Sequence, residues 1–159
     1  RSDPAKAEEA LENFSGTWRR FEYKGKTKNG VEIYDDYAHH PTEVKATLAG
    51  AREKFPDKKI IVVFQPHLYS RTKLLIDDFA RAFEDADQVI LAPIYAAREA
   101  FDPSITSNML AEKIGGKAVS FSDFTGILNF LSANLEEGNV LITMGAGDVY
   151  KVGESLISN

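Results

Sequence analysis

IIVVF, at residues 60–64, is the most informative segment of this 159-residue chain. Five consecutive apolar residues, four of them β-branched, are typical of a strand that is buried on both faces of a sheet. Similar runs follow at 89–92 (VILA), 118–121 (AVSF) and 140–144 (VLITM). Strands of this kind occur in parallel sheets that helices cover on both faces, so the sequence predicts an α/β fold.

Segments with helical periodicity alternate with these strands. The clearest begins at Pro41, a residue suited to the first helical position, and places Val44, Leu48 and Ala51 on one stripe. Further helices are predicted at about 71–84, at 107–114, at 123–134 and at the C-terminus. The alternation predicts a three-layer, mostly parallel Rossmann-like sheet with helices on both faces.

Two strand-like runs, at 21–26 and 31–34, lie upstream of Pro41 and flank an Asn29-Gly30 pair. Asn-Gly between such runs is typical of a tight hairpin turn, because both residues tolerate the backbone angles that the turn requires. The sequence therefore predicts an N-terminal hairpin whose second strand ends at Tyr34.

The length and the 43% content of hydrophobic residues are sufficient for one compact domain with its own core. Ala7, Ala10, Leu11 and Phe14 fall at helical spacing, which predicts a short amphipathic helix over 5–14. We interpret residues 1–14 as a linker or helix left from a preceding domain, and residues 15–159 as the domain itself.

Composition limits the classes of partner. A formal charge of −5 argues against a non-specific nucleic-acid or anionic-membrane surface, which requires clustered Lys and Arg. The chain has no cysteine, so disulfides and thiolate metal sites are excluded. No apolar run approaches the roughly 20 residues of a membrane-spanning helix, and residues 1–14 lack the apolar core of a signal peptide. We therefore expect a cytoplasmic protein.

Polar residues are concentrated where the predicted strands end. DDYAHHPTEV (35–44) follows the hairpin, QPHLYSR (65–71) follows IIVVF, PIY (93–95) follows VILA, and GAGD (145–148) follows VLITM. Ligands of open α/β sheets bind beyond the carboxyl ends of the strands. The sequence therefore predicts that all three histidines lie at one edge of the sheet.

The helix beginning at Pro41 gives this edge an affinity for anions. The partial positive charge of a helix N-terminus disfavours imidazolium and attracts phosphate or carboxylate, so neutral His39 is predicted to be a hydrogen-bonding group beside an anion. Arg71, directly after a candidate cap at Ser70, is suited to bidentate contact with an oxyanion. Each of these residues also has a structural interpretation: a histidine caps the helix, and Arg71 pairs with an aspartate of its own helix, Asp77 or Asp78.

A metal site is not predicted. The edge contains acceptable ligand types in His39, His40, His67, Asp35 and Asp36. Adjacent histidines rarely point the same way, however, and no second ligand follows at a spacing typical of metal sites.

GAGD resembles the start of a dinucleotide fingerprint but does not complete it. Tyr150 stands where the third small residue belongs, and only 12 residues follow Gly147. The two glycines, Gly145 and Gly147, either let the backbone approach a ligand or form a tight strand-to-helix turn. No GxxxxGK[ST] phosphate loop occurs in the chain.

Four motifs in a fixed order carry a family resemblance: FSGTWRRFE (14–22), DDYAHHPTEV (35–44), FQPHLYSRT (64–72) and MGAGDVYKVG (144–153). They resemble the C-terminal domain of the Mur ligases. FQPHLYSRT favours the branch of that family that adds L-alanine.

The resemblance implies an enzyme of three domains, of which this chain is the third. The first holds the UDP-sugar, the second holds the ATP phosphate loop, and the third closes over both and helps to bind the amino acid. In the reaction implied, ATP phosphorylates the lactyl carboxylate of UDP-N-acetylmuramic acid, and the amine of L-alanine attacks the acyl phosphate. ATP and Mg²⁺ serve the full-length enzyme, and the isolated domain is expected to bind no cofactor and to be inactive.

The resemblance also implies residue roles. Arg20, Asp36, Tyr37 and His39 match residues presented to the nucleotide and phosphate region. Arg20 is preferred to Arg19 because its spacing to Glu22 matches the family motif.

Substrate contacts are implied on the other loops. His67 and Arg71 match a catalytic and substrate-binding pair that faces the amino acid and the reacting phosphates, and Gly145 and Gly147 are candidate substrate-binding residues. Some relatives carry an arginine where this chain has Leu68, so Arg71 is expected to bear more of the anion binding. Whether His67 acts as a base or only orients the substrate stays open.

Two alternatives remain at this point. In the first, the chain is a domain of the murein-tripeptide recycling ligase, which shares DDYAHHPT but departs at FQPHLYSRT. From a different class, it is a stand-alone α/β module that binds an anion or a protein.

Overall fold

The computed structural model describes residues 18–158, which form one six-stranded sheet with helices on both faces. The strands are β1 Glu22–Lys26, β2 Glu32–Asp36, β3 Ile60–Phe64, β4 Gln88–Leu91, β5 Ala118–Ser120 and β6 Val140–Met144. The helices are α1 Pro41–Lys54, α2 Tyr69–Leu74, α3 Ile76–Ala82, α4 Ser107–Ile114, α5 Phe124–Asn134 and α6 Tyr150–Ser158.

The strand order is β1-β2-β6-β3-β4-β5, with β1 antiparallel to β2 and every other neighbouring pair parallel. The predicted α/β class and the mostly parallel sheet with an N-terminal hairpin are confirmed. Strands β3 and β6 are central and buried along their whole length, as the apolar sequence of β3 and the mostly apolar sequence of β6 indicated.

The two faces of the sheet bury separate apolar clusters. On one face α1, α3 and α4 pack over Val62, Phe64 and neighbouring residues of the sheet. On the other face α5 and α6 pack over Ile61, Val63 and their neighbours. Alternate residues of β3 therefore enter opposite cores, which explains why no polar residue interrupts this strand.

The predicted helix over 71–84 is wrong in one respect, because two helices occupy this segment. The chain breaks at Leu75, whose backbone angles (φ −108°, ψ 19°) end α2 and begin α3. Only Thr72 of α2 is buried, whereas α3 buries Phe79 and Ala82 in the core. The helix that carries Arg71 is therefore separate from the helix that supports the sheet.

The second strand of the hairpin is longer than predicted. It continues beyond Tyr34 through Asp35 and Asp36, which pair in register with Thr143 and Met144 of β6. Both aspartates are buried, and their carboxylates find partners inside the protein. These partners allow charged residues to occupy a central strand position that their polarity argued against.

The predicted helix over 5–14 and the interpretation of residues 1–14 as a linker concern residues outside the described range. Among the described residues, no helix is both long and apolar enough to cross a membrane.

Candidate functional site

The carboxyl ends of β2, β3 and β4 bring four aromatic and imidazole rings into a row. The Tyr37 and His39 ring centroids are 5.3 Å apart, and those of His39 and His67 are 5.8 Å apart. His67 in turn stacks on Tyr95 at 5.6 Å, with 19° between the ring planes. The prediction that the histidine loops meet at one edge is confirmed, and Tyr95 joins them from the β4 loop.

Backbone pairing beyond the ends of β3 and β4 fixes this row. His67 and Tyr95 form a parallel bridge, in which the Tyr95 amide donates to the Pro66 carbonyl at 2.8 Å. The Leu68 amide donates to the Tyr95 carbonyl at 2.9 Å. Leu68 has a φ of +72°, a value rare for a side-chain-bearing residue, and this turn directs the chain into α2.

Arg71 lies four residues after His67, and its Nη1 is 3.4 Å from His67 Nδ1. A guanidinium only donates, so this contact requires an unprotonated Nδ1 and places the hydrogen of neutral His67 on Nε2. Burial, followed by the positive charge of Arg71, lowers the pKa of His67 below its ordinary value of 6.5, and a proton on the neighbouring His39 acts in the same direction. His67 is thus a neutral donor at physiological pH.

Arg71 does not form the predicted alternative pairs on its own helix. Asp77 contacts Lys113 at 2.5 Å and Asp78 contacts Arg81 at 2.7 Å. Ser70, the candidate cap, is instead inside α2, and Leu68 occupies the N-cap position.

His39 has the opposite hydrogen-bonding polarity to His67. Its Nδ1 is 3.1 Å from the Tyr37 carbonyl oxygen, which only accepts, so the hydrogen of neutral His39 lies on Nδ1. Its Nε2 is therefore an acceptor. The two neighbouring imidazoles together offer a bound molecule one donor and one acceptor.

The start of α1 is capped by the chain itself. Glu43 Oε2 accepts the His39 and His40 amides at 3.0 and 3.1 Å, and His40 Nδ1 accepts the Thr42 amide at 3.3 Å. The structural interpretation of His40 as a cap is thereby confirmed. An anion at this helix terminus would have to compete with the Glu43 carboxylate, so the predicted anion affinity of the edge does not rest on α1.

Arg19, the neighbour of the predicted nucleotide-binding Arg20, is buried at the junction of β2 and β6. Only 3% of Arg19 is exposed. Its Nε donates to Asp35 Oδ2 at 2.6 Å, and its Nη2 donates to the Gly145 carbonyl at 2.6 Å. Thr143 Oγ1 donates to the other oxygen of Asp35 at 2.6 Å. No local spacing indicated this pair, because 16 residues separate Arg19 from Asp35 in the sequence.

Asp36 is also committed to internal contacts. Its Oδ2 accepts the Phe21 amide at 2.8 Å and its Oδ1 accepts the Ala38 amide at 2.7 Å, while 4% of the residue is exposed. Burial raises the pKa of Asp36, and these two amide hydrogen bonds act in the opposite direction. In this conformation the carboxylate shapes the loop that presents Tyr37 and His39.

The glycines of GAGD are required by close internal packing. A Cβ at Gly145, where φ is +144°, would lie 2.7 Å from the Gln65 carbonyl oxygen. Gln65 Oε1 accepts the Val149 amide at 3.2 Å, and a Cβ at Gly147 would overlap that oxygen. The interpretation as a tight strand-to-helix turn therefore explains both glycines, and their role toward substrate stays a prediction.

Arg20 is exposed, and its positive charge opposes the rise that burial causes in the pKa of Asp36 and contributes to the lowered pKa of Glu43. The two sides of this edge differ in how far their polar atoms are satisfied inside the protein. On the β2–β6 side, comprising Arg19, Asp35, Asp36, Gly145 and Gly147, the polar atoms are satisfied internally. On the β3–β4 side, comprising His67, Arg71 and Tyr95, polar groups remain partly exposed beside His39. Within residues 18–158, no group of three or more His, Asp or Glu side chains could hold a metal ion.

The chain is similar to proteins of one known family. A family model described as "Mur ligase, glutamate ligase domain" matches residues 19–147. A UDP-N-acetylmuramate--L-alanine ligase of Clostridium botulinum is 52% identical over an alignment of 153 residues, which covers 94% of this chain and 33% of that relative. The chain spans about a third of the length of the curated relatives it matches.

Solved structures agree with the fold. The UDP-N-acetylmuramate-alanine ligase MurC of Thermotoga maritima matches with a TM-score of 0.80 and 28% identity, over 99% of this chain and 33% of that one. A murein peptide ligase of Psychrobacter arcticus matches with a TM-score of 0.69 and 24% identity, over 94% of this chain and 31% of that one. The second likeness is one of fold alone.

Proposed function

The chain belongs to the Mur ligase family, and from this premise we propose that it is the C-terminal domain of an ATP-dependent ligase that joins L-alanine to UDP-N-acetylmuramic acid. The observation that carries the proposal is the 52% identity to an L-alanine ligase over 94% of the chain. The murein peptide ligase fold is more distant, at 24% identity. The enzyme acts in peptidoglycan precursor synthesis and, on this proposal, in the cytoplasm.

The reaction requires one carboxylate to be activated and then attacked. ATP transfers its terminal phosphoryl group to the lactyl carboxylate, and the amine of L-alanine displaces phosphate from the acyl phosphate to form the amide. Two further domains of the same enzyme supply the UDP-sugar and the ATP phosphate loop. The present domain closes over them, and alone it is inactive.

Arg71 is the proposed binding group for the developing negative charge. Its guanidinium is half-buried, and its only side-chain hydrogen-bond partner among residues 18–158 is the neutral His67. Because no carboxylate neutralises it there, its donors remain available for the transferred phosphoryl group and the tetrahedral oxyanion.

His67 orients L-alanine rather than accepting its proton. The Nδ1 lone pair faces Arg71 and Nε2 carries the hydrogen, so neither nitrogen is placed to receive a proton from the ammonium group. The lowered pKa of His67 weakens it further as a base. Its Nε2–H suits the carboxylate of the amino acid, while His39 Nε2 is an acceptor suited to the amine.

The nucleotide contacts are proposed for Arg20, Tyr37 and His39. Arg20 is exposed, and the rings of Tyr37 and His39 are partly exposed at the same edge. Asp36 belongs to this group through the loop that its carboxylate holds, and a direct nucleotide contact would require it to exchange an amide partner. Gly145 and Gly147 contribute by allowing the β6 loop to approach Gln65.

Magnesium ions offset phosphate charge in the proposed reaction. The carboxylates at this edge are engaged by Arg19, by backbone amides and by Thr143. This donor set does not fit a magnesium ion, so we assign no metal ligand to the chain and derive no step through one.

The test is a chimera in which this chain replaces the last third of the Clostridium botulinum relative. Phosphate release is followed with ATP, Mg²⁺, UDP-N-acetylmuramic acid and L-alanine. We expect release that requires all four components, and none from either fragment alone. A mixture of the two separate fragments shows whether covalent linkage is needed.

Two other outcomes would replace the proposal. Phosphate release that requires a murein tripeptide and does not respond to L-alanine would identify a recycling ligase. Tight binding of a nucleotide or an acidic metabolite by the isolated chain, together with an inactive chimera, would identify a stand-alone binding module.

A further inference from the structure

Helix α2 carries Arg71 but has little of its own to hold it in place. It spans six residues, buries only Thr72 and ends at the break at Leu75. Its N-cap residue, Leu68, makes no side-chain hydrogen bond to the helix. A helix this short is not stable by itself in water, so contacts from elsewhere must fix its position.

Those contacts come from the connection between β4 and α4. We name residues 95–104 of this connection the clasp segment. The Tyr95 carbonyl accepts the Leu68 amide at 2.9 Å, and Phe101 packs edge-on against Tyr69 at 5.7 Å. At the other end of α2, Lys73 donates to Ser104 at 2.7 Å. The clasp segment therefore contacts α2 along its whole length.

Glu99 provides the charged contact of the clasp segment. One carboxylate oxygen accepts the Ser70 amide at 3.0 Å, and the other accepts the Ser70 hydroxyl. The Ser70 hydroxyl, then the Ser70 and Tyr69 amides, lower the pKa of Glu99. A negative charge at this position also complements the positive end of the short helix. Glu99 thus does for α2 what a capping side chain does for other helices, but from 29 residues away.

We propose that Glu99 is a positioning residue for the ligase reaction, which holds α2 so that Arg71 contacts His67 and faces the reacting groups. The inference rests on the proposed function of Arg71. Glu99 itself is bonded to Ser70 and needs no contact with substrate. Its effect passes along α2 from Ser70 to the next residue, Arg71.

A spectroscopic test uses the isolated chain. The Arg71 contact keeps His67 in its Nε2–H form, so long-range ¹H–¹⁵N spectra should show one neutral tautomer of His67 in the wild type. Glu99→Gln removes the charge, and we expect a mixture of tautomers together with at least about tenfold faster amide exchange in α2. Glu99→Asp keeps the charge and should recover part of both effects.

Kinetics of the chimera give the second readout. We expect Glu99→Gln to lower kcat about tenfold with a smaller change in KM, because Arg71 acts on charge that develops in the transition state. The matched control is Glu154→Gln on α6, which removes the same charge from a side chain whose one ion pair within residues 18–158 is with Lys24, at 3.7 Å. It should leave kcat and the His67 tautomer unchanged.

The outcomes separate the two proposals. An unaltered tautomer and unaltered α2 exchange in Glu99→Gln would overturn the positioning role, even if the chimera proved fully active. A chimera that is inactive with the wild-type chain would overturn the proposed function, while the spectra would still decide whether Glu99 positions Arg71. A loss of activity equal to that of Glu154→Gln would also contradict the proposal.

Discussion

The two sides of the sheet edge use similar residues in opposite ways. On the β2–β6 side, Arg19 and Asp35 are buried together and their donors and acceptors are consumed within the protein. On the β3–β4 side, Arg71 is half-buried and faces a neutral histidine. An arginine with a carboxylate partner stabilises the fold, whereas an arginine without one is available to a ligand.

The contrast shows which polar residues at this edge are available to contact a ligand. DDYAHH contains residues of both kinds within six positions, so the motif alone does not separate them. The number of hydrogen-bond partners that each side chain has inside the protein does separate them. Asp35 is bonded to Arg19 and Thr143, and Asp36 to two backbone amides, whereas one ring nitrogen of His39 has no hydrogen-bond partner among residues 18–158.

The strongest test of the contrast compares two separate variants, Arg19→Ala and Arg20→Ala. Removal of Arg19 leaves the Asp35 carboxylate buried without its ionic partner, and we expect a loss of about 3–5 kcal/mol in the free energy of unfolding. Removal of the exposed Arg20 should change it by less than about 0.5 kcal/mol. Urea unfolding of the two variants measures both values. Equal losses would contradict the distinction between neighbouring arginines.

Arg71→Ala addresses the other side of the edge. In the chimera we expect kcat to fall about 100- to 1,000-fold, since a donor to developing negative charge is lost. The unfolding free energy should stay within about 0.5 kcal/mol of the wild type. The control is Arg81→Ala on α3, where the guanidinium pairs with Asp78 at the surface. If Arg81→Ala lowered kcat as much, general charge rather than position would be responsible.

Two glycine substitutions should change stability in opposite directions. At Gly145, an alanine meets both a φ of +144° and the Gln65 carbonyl oxygen at 2.7 Å, and we expect a loss of about 2 kcal/mol or more. At Gly50, in α1, an added Cβ meets nothing within 4 Å, and alanine should gain about 0.5–1 kcal/mol. Thermal unfolding with both variants gives the comparison. A neutral Gly145→Ala would show that the β6 loop is not held against Gln65.

The smallest expected effect is the pH dependence contributed by His67. Its pKa is lower in the folded chain than the ordinary 6.5, so the unfolded chain takes up this proton first as pH falls. The stabilisation is therefore complete above pH 6.5 and is lost progressively below it. Between pH 7.5 and 5.5, the Tm of the wild-type chain should fall by more than the Tm of His67→Gln. A constant difference across that interval would show that His67 is not held neutral.

Much of the fold could be predicted from sequence because its signals are local. The apolar runs at 60–64 and 140–144 are strands as predicted, and the helix at Pro41 begins where its proline and Glu43 indicated. The break at Leu75 could not be predicted in this way. No glycine or proline marks the break, and Leu75, Phe79 and Phe83 keep helical spacing from it onward, so only the turn at Leu68 and the contacts of the clasp segment set α2 apart.

The site was harder to predict because it depends on pairs that are distant in sequence. Sequence spacing placed His39 and His67 at one edge, and the structure brings their rings within 5.8 Å. It did not indicate that Arg19 would reach Gly145, 126 residues away, or that Glu99 would bond to Ser70. Such partners follow from the strand order, which places β6 between β2 and β3, and local patterns do not encode that order.

The separation of α2 from α3 at Leu75 has an evolutionary consequence. Core packing rests on α3, so substitutions in the exposed positions of α2 and in its clasp change little of the buried surface. This pair of segments can therefore diverge as a unit while the sheet persists. A change of ligand specificity on this scaffold can therefore be confined to surface segments, without a new hydrophobic core.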